Sequence, residues 1–319
     1  MNRLIALGVV LVSLAACTSQ AEGPVKLTLM LDWVPNTNHT GIFVAQHEGF
    51  FEDAGLEVEI IQPGEVFAEQ AVAGGAADFG ISFQEQITLA RAEAVPLVSI
   101  AAIIQNNTSG FASRVAGSPG EWEGLRYGSF GSPFEEPTLR ELMGCSGSSF
   151  DALEIVNTGF SDPLALLEQG QIDLAWIFYG WQGIQAELQG IELEVVMMED
   201  WFDCIPDYYT PVIFAAEATL EDRPEIVRAF LIAVSRGYRF AIGEPASAAA
   251  ILLDAVPELD RQLVQESQEW LSPRYQADAT RWGEQDLEVW STYSQWMAEH
   301  DIIAQPIQAE RAFTNEYLP

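Results

Sequence analysis

The chain has 319 residues, 49% of them hydrophobic, with 47 acidic against 14 basic side chains and a formal net charge of -33. A surface this negative repels nucleic acid phosphates and anionic head groups, which excludes nucleic acid as a partner, although a helix N-terminus still admits a small anion locally. The length exceeds what one core comfortably fills, so two lobes are expected.

The N-terminus sets the compartment. Arg3 precedes an apolar run over residues 4–14 (LIALGVVLVSL) that is too short for a permanent membrane span and ends in small residues, the pattern of a cleaved export signal. Leu14-Ala15-Ala16-Cys17 resembles a bacterial lipobox, with Cys17 as the lipidated new N-terminus and residues 17–24 as a polar tether; the alternative is ordinary cleavage near Ala16. The mature protein is then expected outside the cytoplasm, held at the cell membrane by its lipid. No later apolar run approaches the length of a membrane helix.

Short β-rich runs then alternate with helical patterns, which predicts an α/β protein with largely parallel sheets. Strands are expected over residues 26–31, 57–61, 77–82 and 97–104, with helices over 41–51, 66–73 and 84–92 between them. Gly and Pro interrupt every pattern over residues 113–124. A second series follows, with strands at 125–129, 153–156, 173–178 and 193–198 and helices at 133–143, 162–169 and 181–188. Residues 209–215 read as the crossing back, and from Glu221 the chain is almost wholly helical, Pro224 suiting a first turn. The expected division is therefore a signal at 1–16, a tether at 17–24, one lobe from 25–112 with 210–319, and a second from 113–209.

Cys145 and Cys204 remain once Cys17 is assigned, and they form either a disulfide or two buried thiols. His39, His47 and His300 have no neighbouring Cys or His, so a metal site is not expected.

In such folds ligands bind in the crevice at the carboxyl ends of strands. The loop after the first expected strand carries Trp33, Asn36, Asn38 and His39, more polar and aromatic groups than a turn requires. Gln84 and Gln86 follow the third strand, and Asn107 lies in the amide-rich stretch after the fourth; such amides read the edge of a neutral ring. In the second lobe, Gly131 and Ser132 precede a helix with Pro133 expected at its first position, leaving backbone N–H groups open to an acceptor. Glu135 sits in that helix's first turn, where the dipole favours a carboxylate, and reads as a cap before a ligand contact. The run over residues 176–183 (WIFYGWQG) joins a strand to a helix; Tyr179 and Trp181 are expected at the mouth with Gln182, while Trp176 and Phe178 are expected in the core. Tyr208, at the return crossing, adds an aromatic ring on the hinge side.

The stretches over residues 29–65 (beginning LMLDWVPNTNHTGIF), 77–86 (ADFGISFQEQ), 100–113 (IAAIIQNNTSGFAS), 131–143 (GSPFEEPTLRELM) and 176–188 (WIFYGWQGIQAEL) together resemble the thiamine-pyrimidine-precursor-binding family of ABC importer lipoproteins. The resemblance implies a type II periplasmic-binding fold that closes on a formylated aminopyrimidine, with riboflavin-binding relatives and more distant sulfonate, taurine and nitrate binders. It carries Trp33, Asn38 and His39 onto the first-lobe wall and Tyr179 and Trp181 onto the second. The pyrimidine binders usually carry Glu where this chain has Gln182, and an amide suits a flavin as well. The expected function is capture of a small aromatic heterocycle for an ABC permease and its ATPase subunits, by a monomer without a cofactor. A eukaryotic pyrimidine synthase shares the fold, but it carries a Cys-rich iron-binding motif that this sequence lacks, and no Gly-x-Ser-x-Gly elbow is present, so no catalytic residue is expected.

Overall fold

Ten strands among the described residues form two five-stranded sheets. The structure, a computed structural model, describes residues 23–64, 66–159 and 161–319. The expected export signal and Cys17 lie outside the described residues.

The strands are β1 (Val25–Met30), β2 (Leu56–Ile61), β3 (Phe79–Ser82), β4 (Leu97–Ala102), β5 (Ser109–Ser113), β6 (Arg126–Ser129), β7 (Glu154–Asn157), β8 (Leu174–Phe178), β9 (Glu194–Met197) and β10 (Val212–Ala216). The helices are α1 (Thr40–His47), α2 (Phe50–Asp53), α3 (Ala68–Ala73), α4 (Gln84–Ala92), α5 (Glu135–Cys145), α6 (Pro163–Glu168), α7 (Ile184–Gln189), α8 (Glu217–Asp222), α9 (Pro224–Gly243), α10 (Pro245–Ala255), α11 (Arg261–Leu271) and α12 (Leu287–Glu299). Among the described residues, no helix is long and apolar enough to cross a membrane.

The first sheet runs β2-β1-β3-β10-β4 and the second β7-β6-β8-β5-β9. β1 pairs in parallel with β2 and β3, and β6 with β7 and β8. Both sheets are mixed rather than largely parallel. The reversed strands are β10, antiparallel to β3 and β4, and β5, antiparallel to β8 and β9. Both are the segments that cross between lobes, so each enters its sheet from the opposite end. β5 joins the second sheet within a stretch read from sequence as the tail of the first lobe. α12 spans both lobes: Trp290 packs with Met30 and Phe214, while Tyr293, Trp296 and Met297 pack with Phe111, Tyr127 and Leu142.

The expected helix over residues 41–51 is broken in two, because Gly49 takes the left-handed conformation (φ 72°) that glycine adopts without steric cost. α1 itself lies unusually close to α9: a Cβ at Gly237 would come within 1.9 Å of the Gly41 carbonyl oxygen, and one at Gly41 within 2.4 Å of the Tyr238 ring. Large apolar side chains such as Ile42, Val44, Phe230 and Leu231 fill the remaining interface, each worth roughly 1.5–3 kcal/mol when fully buried. This contact fixes the loop between β1 and α1. The Tyr238 hydroxyl donates to the Asn38 carbonyl and the Tyr275 hydroxyl to the Thr37 carbonyl, each at 2.6 Å.

Cys145 and Cys204 form a disulfide, with Cα atoms 6.5 Å apart. It ties the end of α5 to the segment leading into the return crossing. The Thr210–Pro211 peptide bond in that crossing is cis.

Candidate ligand-binding cleft

A cavity of about 420 Å³ lies between the lobes, at the carboxyl ends of β1, β3, β6, β7 and β8. Trp33, Asn36, Asn38, Phe83, Glu69, Glu85 and Gln86 line its first-lobe wall. Phe130, Gly131, Ser132, Phe134, Trp176, Phe178, Trp181 and Gln182 line the other, and Ser109, Tyr208 and Thr210 come from the two crossings. The size falls within the range of small-molecule sites.

Aromatic rings dominate both walls. Phe83 and Phe178 face each other across the lobes with centroids 5.9 Å apart and planes 20° from parallel. Trp176 stands edge-on to Phe134 at 5.9 Å and to Phe130 at 6.1 Å. Such walls favour a flat ring that stacks on one face and meets edges at its rim. The carboxyl groups in the lining are those of Asp32, Glu69 and Glu85, and among the described residues no Lys or Arg lines the cleft. Glu69 accepts a hydrogen bond from the Ser82 hydroxyl, yet burial still raises its carboxyl above the ordinary range. Burial pushes the Glu85 carboxyl up to about 8, against the opposing hydrogen bonds from its own backbone and the Tyr208 side chain. An anion entering this cleft would find no cationic side chain among the described lining residues to offset its charge.

Of the residues expected from sequence, Trp33, Asn36, Asn38, Gln86, Gly131, Ser132, Trp181, Gln182 and Tyr208 line the cleft. His39, Gln84, Asn107, Glu135 and Tyr179 are not in the lining, and each has another task. His39 is fully buried behind the loop: its Nδ1 accepts the Asn36 N–H at 3.2 Å, leaving Nε2 to donate to Asp32 at 2.7 Å. It is the third residue of a capping box whose other half is Asn36, which accepts the Asn38 N–H at 2.9 Å. Gln84 accepts the Tyr209 N–H at 2.9 Å and so pins the return crossing to α4. Asn107 turns the outgoing crossing, its Oδ1 accepting from the Ser109 backbone and hydroxyl at 2.7 Å each.

The second-lobe nest is filled from within. Glu135, 1% exposed, accepts the N–H groups of Gly131 at 2.7 Å, Ser132 at 2.6 Å and Phe130 at 3.1 Å, with the Tyr127 hydroxyl at 2.7 Å. The N–H groups expected to await a ligand's acceptor are therefore taken by the protein's own carboxylate. α5 begins at Glu135, two residues after Pro133, which lies outside the helix. Tyr179 turns out of the cleft, donating to Glu187 and packing against Trp270 with centroids 5.2 Å apart.

Trp176 and Phe178, expected in the core, are half-buried cleft residues. Side chains alternate along β8, so these two share a face while Ile177 takes the opposite one. That alternation was a readable signal, because the shared face leads directly to the mouth. Glu69, Phe83 and Glu85 escaped notice beside more conspicuous neighbours. In Glu85 the missing signal is a carboxylate in the first turn of α4, which reads by default as a helix cap.

The π-helical segment Tyr179–Gly183, between β8 and α7, packs against α11 of the first lobe on one side of the cleft. Ser267 on α11 donates to the Gly180 carbonyl and hydrogen-bonds the Thr37 hydroxyl, so one side chain holds both walls. Trp181 packs beside Phe43, Leu252 and Val264 of the first lobe.

Residues 36–248 match the family described as NMT1/THI5 like. The chain belongs to this family. A formylaminopyrimidine-binding protein of Halalkalibacterium halodurans is 28% identical over 325 residues, covering 98% of each chain. The riboflavin-binding protein RibY of Chloroflexus aurantiacus is 24% identical, over 92% of this chain and 86% of that one. A 4-amino-5-hydroxymethyl-2-methylpyrimidine phosphate synthase of Legionella pneumophila is likewise 24% identical, over 92% of each. The fold is similar to that of the periplasmic aliphatic sulphonate binding protein SsuA from Escherichia coli, with TM-score 0.67, 15% identity and coverage of 91% of this chain and 92% of that one. The NMT1/THI5-like chain thus has the two-lobed architecture of the type II periplasmic binding proteins.

Proposed function

We propose that this protein is the substrate-binding component of an ABC importer and captures an amino-substituted pyrimidine of the formylaminopyrimidine type. The observation that carries the reading is the cleft: an interlobe cavity of about 420 Å³, walled by aromatic rings, whose lining among the described residues holds three carboxyl groups and no Lys or Arg. Rings stack the heterocycle, and the carboxyl groups accept from its amino substituents. The similarity to a formylaminopyrimidine-binding protein along nearly the whole chain supports the same ligand class. The lining argues against the sulfonates bound by a protein of similar fold, because such ligands need a cation or free N–H groups, no Lys or Arg lines the cleft among the described residues, and the Gly131–Ser132 nest is filled.

Ligand stacked on one lobe recruits the other, and the closed form is the one presented to the permease, a population shift driven by tighter binding to that form. Export and a lipid anchor on Cys17 belong to the same proposal, as does action by a monomer without a cofactor. Riboflavin is the second reading, favoured by the amide Gln182 in the wall and by the similarity to RibY. A synthase activity is the third, raised by the Legionella pneumophila relative.

Thermal shift followed by calorimetry with formylaminopyrimidine, hydroxymethylpyrimidine, thiamine, riboflavin and taurine tests the choice. The aminopyrimidines are expected to raise the melting temperature most, and taurine not at all. Binding of riboflavin alone would install the second reading, and no response to any ring compound would defeat both.

A further inference from the structure

We propose that Glu85 is the specificity-determining group of the cleft, reading a ligand edge on which a basic ring nitrogen adjoins an exocyclic amine. The inference rests on the heterocycle-binding reading above and adds what selects within that class.

Glu85 lies in the first turn of α4, just after β3, and lines the cleft while being only 3% exposed. Its Oε2 has no hydrogen-bond partner within the protein. Buried polar atoms in native structures are nearly always partnered, so an orphaned carboxyl oxygen in a cleft wall calls for a ligand. The groups around it supply no cation. The Tyr208 hydroxyl from the return crossing lies next to the carboxyl, Tyr293 from α12 is close enough to feel its charge, and Asp207 adds negative charge to the same cluster.

Burial holds the carboxyl up to about 8, so near neutral pH it carries its proton and offers one donor and one acceptor. A 4-aminopyrimidine edge offers the complement, a ring nitrogen that accepts and an amine that donates. When the two meet, the proton can pass from carboxyl oxygen to ring nitrogen, an O–H bond giving way to an N–H bond. The result is a charge-assisted pair and nothing is released. A 4-oxo ring presents an N–H and a carbonyl, which can pair with the acid but cannot take its proton. Gln182 does not replace this function, because an amide has no acidic proton to pass to a ring nitrogen, and one lone pair of its Oε1 already accepts the Phe178 N–H at 3.0 Å.

The test compares 4-amino-5-hydroxymethyl-2-methylpyrimidine with its 4-oxo analogue by calorimetry, on the wild-type protein, Glu85→Leu and Glu85→Gln. Ligand-free melts of both variants establish that they are folded. Wild type is expected to favour the amino compound at least tenfold, and Glu85→Leu to bring the ratio close to one. Glu85→Gln keeps both an amide donor and an acceptor, so it should hold the amino compound within about fivefold of wild type. It should also lose the decline in affinity expected of wild type above pH 8. A tenfold preference that survives in Glu85→Leu overturns the role of Glu85 and leaves the heterocycle reading standing. Failure of wild type to bind either pyrimidine overturns both.

Discussion

Gln182 turns its side-chain oxygen back onto its own strand, where Oε1 accepts the Phe178 N–H at 3.0 Å. One lone pair of the oxygen is thereby engaged within the protein, while no hydrogen bond among the described residues engages the NH₂ donor. Gln182→Glu keeps the bond to Phe178 through one carboxylate oxygen but places an acceptor where the donor stood, in a cleft whose lining already holds Asp32, Glu69 and Glu85. Formylaminopyrimidine, whose formyl oxygen needs a donor, is expected to lose affinity relative to its deformylated amine by about tenfold, or ~1.4 kcal/mol. Calorimetry with the two compounds measures this, and an unchanged ratio would remove Gln182 from the binding surface.

Trp33 and Trp181 are both cleft aromatics but differ in what else they support. Trp33 is 39% exposed, so its truncation removes stacking area and little core. Trp181 also fills a place beside Phe43, Leu252 and Val264, so its truncation opens a gap between the lobes. Trp33→Ala should cost about 1–3 kcal/mol of ligand affinity with the melting temperature nearly unchanged. Trp181→Ala should lower both. Full affinity in the two variants would sink the site assignment.

The helices, strands and crossings were legible in sequence because their apolar periods are strong: α4 lies where its pattern placed it, and β1, β2 and β8 moved by a residue. β5 was not, since Ser109–Ser113 is short, contains Gly110 and follows a polar run that reads as loop. The cleft was half legible. Loops with more polar groups than a turn needs do mark it, but sequence cannot say which of those groups the protein spends on itself. His39 and Asn36 are partners in a cap, and Glu135 fills its own nest; both uses depend on chain geometry that forms only on folding. Glu85 shows the converse, since its burial and missing partner come from packing against the distant Tyr208 and not from its neighbours in sequence.

The Cys145–Cys204 disulfide closes a loop with a sequence separation of 59. Closing a loop of that length removes unfolded-state entropy equivalent to about 4 kcal/mol in the chain-entropy account. Reduction, or the Cys145→Ser/Cys204→Ser double change, is expected to lower unfolding stability by about 2–4 kcal/mol. The cleft lining does not include either Cys, so ligand affinity at low temperature should change little. Denaturant titrations with and without reductant check the first expectation and calorimetry the second.

Ser267 ties the Gly180 carbonyl of one lobe to Thr37 of the other from a fully buried position. Ser267→Ala leaves a buried carbonyl without its donor, a loss of about 1–3 kcal/mol when water cannot replace it. If the bridge holds the lobes together, part of that loss falls on the closed form and ligand affinity declines along with stability. If stability declines while affinity is preserved, the bridge is only a packing contact. Urea unfolding and calorimetry on the same variant separate the two.

Glu85 also gives the fold a pH dependence of defined sign. Its carboxyl is held up to about 8 in the folded protein, against 4.5 for the unperturbed group. Below 4.5 both states carry the proton, and the group adds no slope. Between 4.5 and 8 the unfolded chain has released the proton while the folded chain retains it, so rising pH favours unfolding, with a slope approaching ~1.4 kcal/mol per pH unit for one proton. Above 8 the carboxylate is charged in both states and the slope vanishes again. Glu69 and Asp207 are also raised, mainly by burial, and contribute in the same direction, so the measurement is a difference between proteins. Unfolding free energies of wild type and Glu85→Gln, taken from pH 5 to 9, should diverge up to about pH 8, the variant gaining relative stability, and then run parallel. Parallel curves would mean that the carboxyl is solvated or paired with a cation, and that the cleft wall does not hold it protonated.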